Sequence, residues 1–169
     1  AAAAAAPPGA DGLLFLPALS GAMAPEWIPE ARGCFYGLTP SHGRGHLARA
    51  VMEGCAFAMR DVADRLLELE VPIQSIMILG GGARSRLWGQ IRSDVTGLPV
   101  ELVQRADTCS IGAAMLAAIA AGIQPDLSHC AELVGGERIT LHAKPRVQVI
   151  YREAYQRYRL LFEQLRPLY

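Results

Sequence analysis

Ile76-Met77-Ile78-Leu79-Gly80-Gly81-Gly82-Ala83-Arg84-Ser85 is the stretch that decides how the rest of the chain is read. An apolar run with β-branched Ile76 and Ile78 meets three glycines, then Ser85, and then a segment with helical periodicity. The run predicts a strand, the glycines a tight turn, and Ser85 the N-cap of a helix. Glycines lack a Cβ and let backbone come close to a flat or anionic ligand, and the free N–H groups of a helix start add donors. The same turn also serves proteins as plain packing, so the glycines alone assign no ligand.

Two nucleotide loops can be tested against the turn. A P-loop requires Gly-x-x-x-x-Gly-Lys-Ser/Thr, and no lysine lies near it. A dinucleotide fingerprint, Gly-x-Gly-x-x-Gly, fits Gly80 and Gly82 but meets Ser85 in place of the third glycine. Glu101, near the next strand, imitates the ribose-binding acid of that motif. A third reading is a turn that holds the adenosine end of a nucleotide while other groups grip the phosphates. On these residues the second and third readings both stay open.

At 169 residues the chain is long enough for one domain with a proper core. Half of it is hydrophobic, and 16 basic against 16 acidic side chains leave no net charge. That balance predicts neither nucleic acid nor an anionic membrane as a partner. Cys34, Cys55, Cys109 and Cys130 are scattered without a Cys-x-x-Cys pair, which fits a reduced, cytoplasmic protein rather than a disulfide scaffold or zinc site. The alanine run at 1–6 has no basic segment before it, so it reads as a helix tail or linker and not as a signal peptide. The apolar stretch 111–123 is too short and too rich in alanine to span a bilayer. The abrupt start, without Met, suggests the C-terminal piece of a longer chain.

Outward from the turn, residues 13–16 and 33–38 read as short strands, separated by a Gly- and Pro-rich loop over 20–29. Residues 44–69 read as the longest helix, with Leu47, Val51, Gly54, Ala58, Val62 and Leu66 on an apolar line. Arg49, Glu53, Arg60 and Asp64 fall mostly off that line, and Gly54 on it would admit another backbone. His42 and His46 have metal-ligand spacing but no third ligand in view. Leu87, Trp88, Ile91 and Val95 predict a helix ending at Gly97; Gln90 and Asp94, four apart on it, reach one site as a ligand pair or, the reading preferred, stand as solvated face residues. A strand at 99–103, a tightly packed helix at 111–121, a short helical turn at 128–134 and a final helix from 145 to 165 follow. Tyr151, Tyr155, Tyr158, Phe162 and Leu165 give that last helix an aromatic stripe, read as a docking face. From Ser75 onward the alternation of strands and helices predicts an α/β sheet with right-handed crossovers.

Gly33-Cys34-Phe35-Tyr36-Gly37-Leu38, then after seven residues His46-Leu47-Ala48-Arg49-Ala50-Val51-Met52-Glu53, resembles a signature of the FGGY carbohydrate kinases. Leu14-Phe15-Leu16-Pro17, Ser20-Gly21, the turn at 80–85, Gln90 with Asp94, and Gly112-Ala113-Ala114 follow in family order. The resemblance covers essentially the whole chain and is strongest to the xylulokinase branch. It implies an α/β, ribonuclease H-like lobe of the actin/hexokinase type, a mixed sheet with flanking helices. It further implies ATP and Mg²⁺ as cofactors, a sugar substrate, a separate N-terminal lobe, a homodimer and a cytoplasmic location. The adenosine role carries over to Gly80, Gly81, Gly82 and Ala83, with Ser85 and Arg86 beside them. The helix at 111–121 becomes a hinge-side connecting element.

The resemblance assigns no catalytic residue and no metal ligand here, because the family's phosphate turns and catalytic Asp lie upstream of anything present. Asp11, Asp61, Asp64 and Asp94 give no reason to nominate a base. One departure is the loop Gly21-Ala22-Met23-Ala24-Pro25, where the family commonly has Gly-Glu-Arg-Thr-Pro. Three functions therefore compete: a lobe of an ATP-dependent sugar kinase, a dinucleotide-dependent oxidoreductase, and a non-catalytic adenine-nucleotide or association module.

Overall fold

A computed structural model describes residues 2–104, 107–134 and 137–169; Ala1, first of the alanine run, lies outside them. The alanines form a short helix, α1 (Ala2–Ala5), before a left-handed turn at 9–12 and the strand β1 (Leu14–Leu16). All three residues of β1 are buried, because antiparallel β2 (Cys34–Tyr36) pairs with it and two helices cover it. The first of those helices is α2 (Arg44–Glu68). Its start is held by His46, whose Nδ1 accepts the Gly43 N–H at 3.1 Å. His46 Nε2 reaches Asp11 at 3.0 Å, tying the helix start to the 9–12 turn, and His42 Nδ1 accepts the Thr39 N–H at 2.9 Å within its own turn.

The expected apolar line on α2 is only half the story. Gly54 does admit a backbone, since a Cβ there would overlap the carbonyl oxygen of Phe15. Leu66, on the same line, is exposed, whereas Arg49 and Glu53 are buried. The buried face runs instead through Ala50, Glu53, Gly54, Ala56 and Phe57. Charge is tolerated there because the two side chains are paired with each other and with Tyr151.

The central sheet has three strands, β3 (Ile76–Ile78), β4 (Val100–Val103) and β5 (Arg138–Leu141). β3 and β4 run parallel across the crossover helix α3 (Arg86–Thr96), as the βαβ pattern requires. β5 pairs antiparallel with β4, so the run of crossovers expected from residue 75 onward ends there and the sheet is mixed. Ile78, Val100, Leu102 and Leu141 point to one face and form a core with Ala83.

The final helix, α6 (Pro145–Leu165), lays its aromatic stripe inside the chain. Tyr151, Tyr155 and Tyr158 are buried around Phe57, with Leu14, Leu16, Ile91 and Val95 completing the cluster. Ring centroids 5.3 to 6.2 Å apart put these aromatics in mutual contact. Phe162 and Leu165, partly buried, pack on the same core, so the stripe docks mainly within the chain. The other departure is α4 (Thr108–Ala120), expected to be tightly packed. None of its residues is buried, and Leu116 is 61% exposed. Alanine-rich sequence permits close packing, but within the described residues α4 neighbours chiefly α5 (Leu127–Val134).

Candidate functional site

Residues 80–84 form one turn of 3₁₀ helix between β3 and α3. Gly80 has φ +67°, a conformation that a side chain resists. Added Cβ atoms at Gly80 and Gly81 would meet nothing within 4 Å, so the outer face of the turn is open. Its inner face is packed. Ala83 is buried against the sheet, and its carbonyl accepts the Gln104 Nε2–H at 2.8 Å. Ser85 is the expected cap, its Oγ accepting the Trp88 N–H at 3.2 Å. Arg86 begins α3 and is exposed.

Gly82 differs from its neighbours. A Cβ there would lie 3.3 Å from Arg92 Nη1 and 3.5 Å from Nη2, so its bare side faces a guanidinium and not open space. Arg92 stacks on the Trp88 ring, with Cζ 4.0 Å from the centroid, and is 9% exposed. Burial pulls its pKa below the ordinary arginine value. Its Nε and Nη1 have no hydrogen-bond acceptor among the described residues. Neither Arg92 nor Gln104 stood out in the sequence. Trp88 and Arg92 are four apart on one helix, which is the spacing that brings a ring and a guanidinium together.

Gln90 and Asp94 are placed together, but neither as a ligand pair nor as solvated residues. Gln90 Nε2 donates to Asp94 Oδ1 and to the His142 carbonyl, and Asp94 Oδ1 also accepts the Lys144 N–H at 2.7 Å. They fasten the start of α6 to α3. Glu101, the would-be ribose acid, accepts from Ser75 Oγ at 2.7 Å and lies 3.5 Å from Arg138, so it is engaged across the sheet.

A second concavity, of about 170 Å³, lies away from the turn between the loop carrying Ala22 and Met23, α2 and α6. Asp61 lines it, accepting the Tyr155 O–H at 2.6 Å. Burial pushes the Asp61 carboxyl above the usual range, against the pull of that hydrogen bond and of Arg159. Arg166 closes one wall, bound to Glu26 and Glu163 at 2.6 Å each. No grouping of three or more His, Cys, Asp or Glu able to hold a metal occurs among the described residues. No helix among them is long and apolar enough to cross a membrane.

Residues 1–121 match the FGGY family of carbohydrate kinases, C-terminal domain. The chain belongs to that family. A glycerol kinase of Gloeobacter violaceus is 43% identical over 137 residues, 80% of this chain and 27% of that protein. A xylulose kinase of Escherichia coli is 37% identical over 160 residues, 94% of this chain and 33% of that one. The crystal structure of xylulose kinase from Rhodospirillum rubrum superposes with a TM-score of 0.82 at 35% identity, covering 99% of this chain and 33% of that one. The fold is accordingly that of the actin- and hexokinase-like ATPases. The chain spans a third or less of the length of these FGGY relatives.

Proposed function

We propose that this chain is the nucleotide-holding, C-terminal lobe of an ATP-dependent kinase that converts D-xylulose to D-xylulose 5-phosphate. Kinases of this family use ATP. The observation that carries the nucleotide role is the turn itself, open at Gly80 and Gly81 and packed behind at Ala83. A flat purine and its ribose need such a surface, while a γ-phosphate grip calls for a lysine that the turn lacks. Ser85 and Arg86, at the start of α3, supply further donors toward the nucleotide. The dinucleotide reading loses its acid, because Glu101 is committed to Ser75 and Arg138.

In this reading Mg²⁺, the phosphates and the sugar hydroxyl are handled by an N-terminal lobe. The open apolar surface of α4 suits a contact with that lobe. The enzyme works in the cytoplasm as a homodimer, through a surface other than the covered tyrosine face. Xylulose is favoured by the span of the xylulose-kinase match. The higher identity to a glycerol kinase supports glycerol as the second substrate reading, with ribulose and gluconate behind it. The altered loop at Ala22 and Met23 favours, as the other alternative, a non-catalytic adenine-nucleotide module.

The test is an ADP-release assay on the full-length protein with xylulose, ribulose, gluconate and glycerol in turn. Xylulose is expected to give the highest kcat/KM, and turnover with none of them would favour the non-catalytic module. Gly81→Val, which fills the open face without touching Arg92, should weaken ATP binding about tenfold, roughly 1.4 kcal/mol. Sugar affinity should stay unchanged, and equal loss of both in a folded variant would sink the adenosine assignment.

A further inference from the structure

Arg92 is buried directly behind the glycine turn, between the Trp88 ring and the bare side of Gly82. A guanidinium carries five N–H donors and keeps its proton in proteins. Here Nε and Nη1 are shut away from solvent with no acceptor among the described residues. An orphaned charged donor is among the costlier things a core can hold. Within the turn the Ala83 carbonyl is taken by Gln104, and the carbonyls ahead of it accept the turn's own 3₁₀ N–H groups. The remaining turn peptides join glycines, which rotate with little steric resistance. A peptide unit presents its N–H and its C=O in opposite directions. A nucleotide on the outer face that draws a turn N–H outward therefore swings the matching carbonyl inward, toward Arg92.

We propose that Arg92 is a positioning residue for the nucleotide: when adenosine binds the open face at Gly80 and Gly81, a carbonyl of the glycine turn rotates inward and completes the hydrogen bonding of the Arg92 guanidinium. The inference rests on the adenosine reading of the turn. It also gives Gly82 a reason, since a Cβ there would press on the guanidinium at 3.3 Å. The coupling is reciprocal: an unsatisfied Arg92 makes the free turn less stable, and the same group makes the bound turn more stable.

This account predicts opposite signs for two measurements on one variant. In the full-length protein, Arg92→Met keeps the bulk and removes the unpaired charge. Its Tm should rise, while its Kd for ADP should increase about tenfold. A purely structural arginine would not move stability and affinity in opposite directions. Gly81→Val is measured alongside. If Gly81→Val weakens ADP binding and Arg92→Met does not, the role of Arg92 is overturned and the adenosine turn stands. If Gly81→Val leaves ADP binding intact, the adenosine reading falls and this inference with it. Should Arg92→Met fail to fold, a crystal structure of the unaltered full-length protein with ADP decides. A turn carbonyl at about 2.7–3.2 Å from Arg92 Nε or Nη1 is the expected result. Both nitrogens still without an acceptor in that complex would overturn the proposal.

Discussion

Three donors converge on one oxygen of Glu53: Arg49 Nε at 2.7 Å, the Tyr151 hydroxyl at 2.8 Å and the Gly9 N–H at 3.0 Å. Arg49 also donates to the Ala6 carbonyl and to Tyr151 Oη, so a single ion pair ties α1, α2 and α6 together. Burial pushes the Glu53 carboxyl upward, and the three hydrogen bonds oppose it. Glu53→Ala should therefore destabilise the fold by about 3–5 kcal/mol, because Arg49 is left buried and unpaired. Glu53→Gln, which keeps the shape, should cost less. Urea denaturation followed by circular dichroism measures both, and an Ala variant as stable as the parent would refute the account. This pair was illegible in the sequence, where Arg and Glu four apart read as a solvated helix face. Tyr151 lies nearly a hundred residues downstream, and only the tertiary fold brings it to them. Gly80 and Gly81 leave open space where a side chain would stand, whereas Gly82, the same residue in the sequence, faces Arg92, a difference only the packing sets.

Helix ends and apolar periods were the features that carried from sequence to element. Ser85 caps α3 and Gly97 ends it, as their local chemistry requires. β5 was not located, since four residues alternating between polar and apolar carry too little period to stand out. For α4 the apolar composition was visible, but composition says nothing of what covers a surface. Two glycines in helix interiors separate propensity from packing. Gly54→Ala gains about 1 kcal/mol of helix propensity, yet its methyl would collide with the Phe15 carbonyl where α2 crosses β1. The net effect should be a loss of about 1–3 kcal/mol as the helix is forced off the strand. Gly112→Ala, with nothing within 4 Å of its Cβ on α4, should instead gain up to about 1 kcal/mol. Thermal denaturation of the two variants should shift Tm in opposite directions. A gain at Gly54 would mean that the helix and strand are not in the tight contact described.

At the scale of the whole molecule, the spaced matches from Leu14 to Ala114 were enough to name the family, because fold and motif order are shared by its members. The sugar was not legible, since relatives acting on different substrates match this lobe comparably. Phosphoryl transfer needs a metal, a grip on the γ-phosphoryl group and a base or positioning group for the attacking hydroxyl. In this chain three carboxylates are already engaged: Asp61 with Tyr155, Asp94 with Gln90 and the Lys144 N–H, and Glu101 with Ser75. On the proposed reading the glycine turn reaches only the adenosine end, where no charge develops in the transition state, so its binding energy would not by itself lower the chemical barrier. Losing a positioned general base alone forfeits about 10²- to 10⁴-fold in rate. The 169-residue chain by itself should accordingly show no sugar-dependent ADP release with xylulose, ribulose or glycerol, at any nucleotide concentration. Folding of the isolated chain is checked by circular dichroism in the same buffer. Turnover well above an enzyme-free control would place the chemistry within these residues, and Asp11, Asp61, Asp64 and Asp94 would then be replaced singly by Asn to find the group responsible.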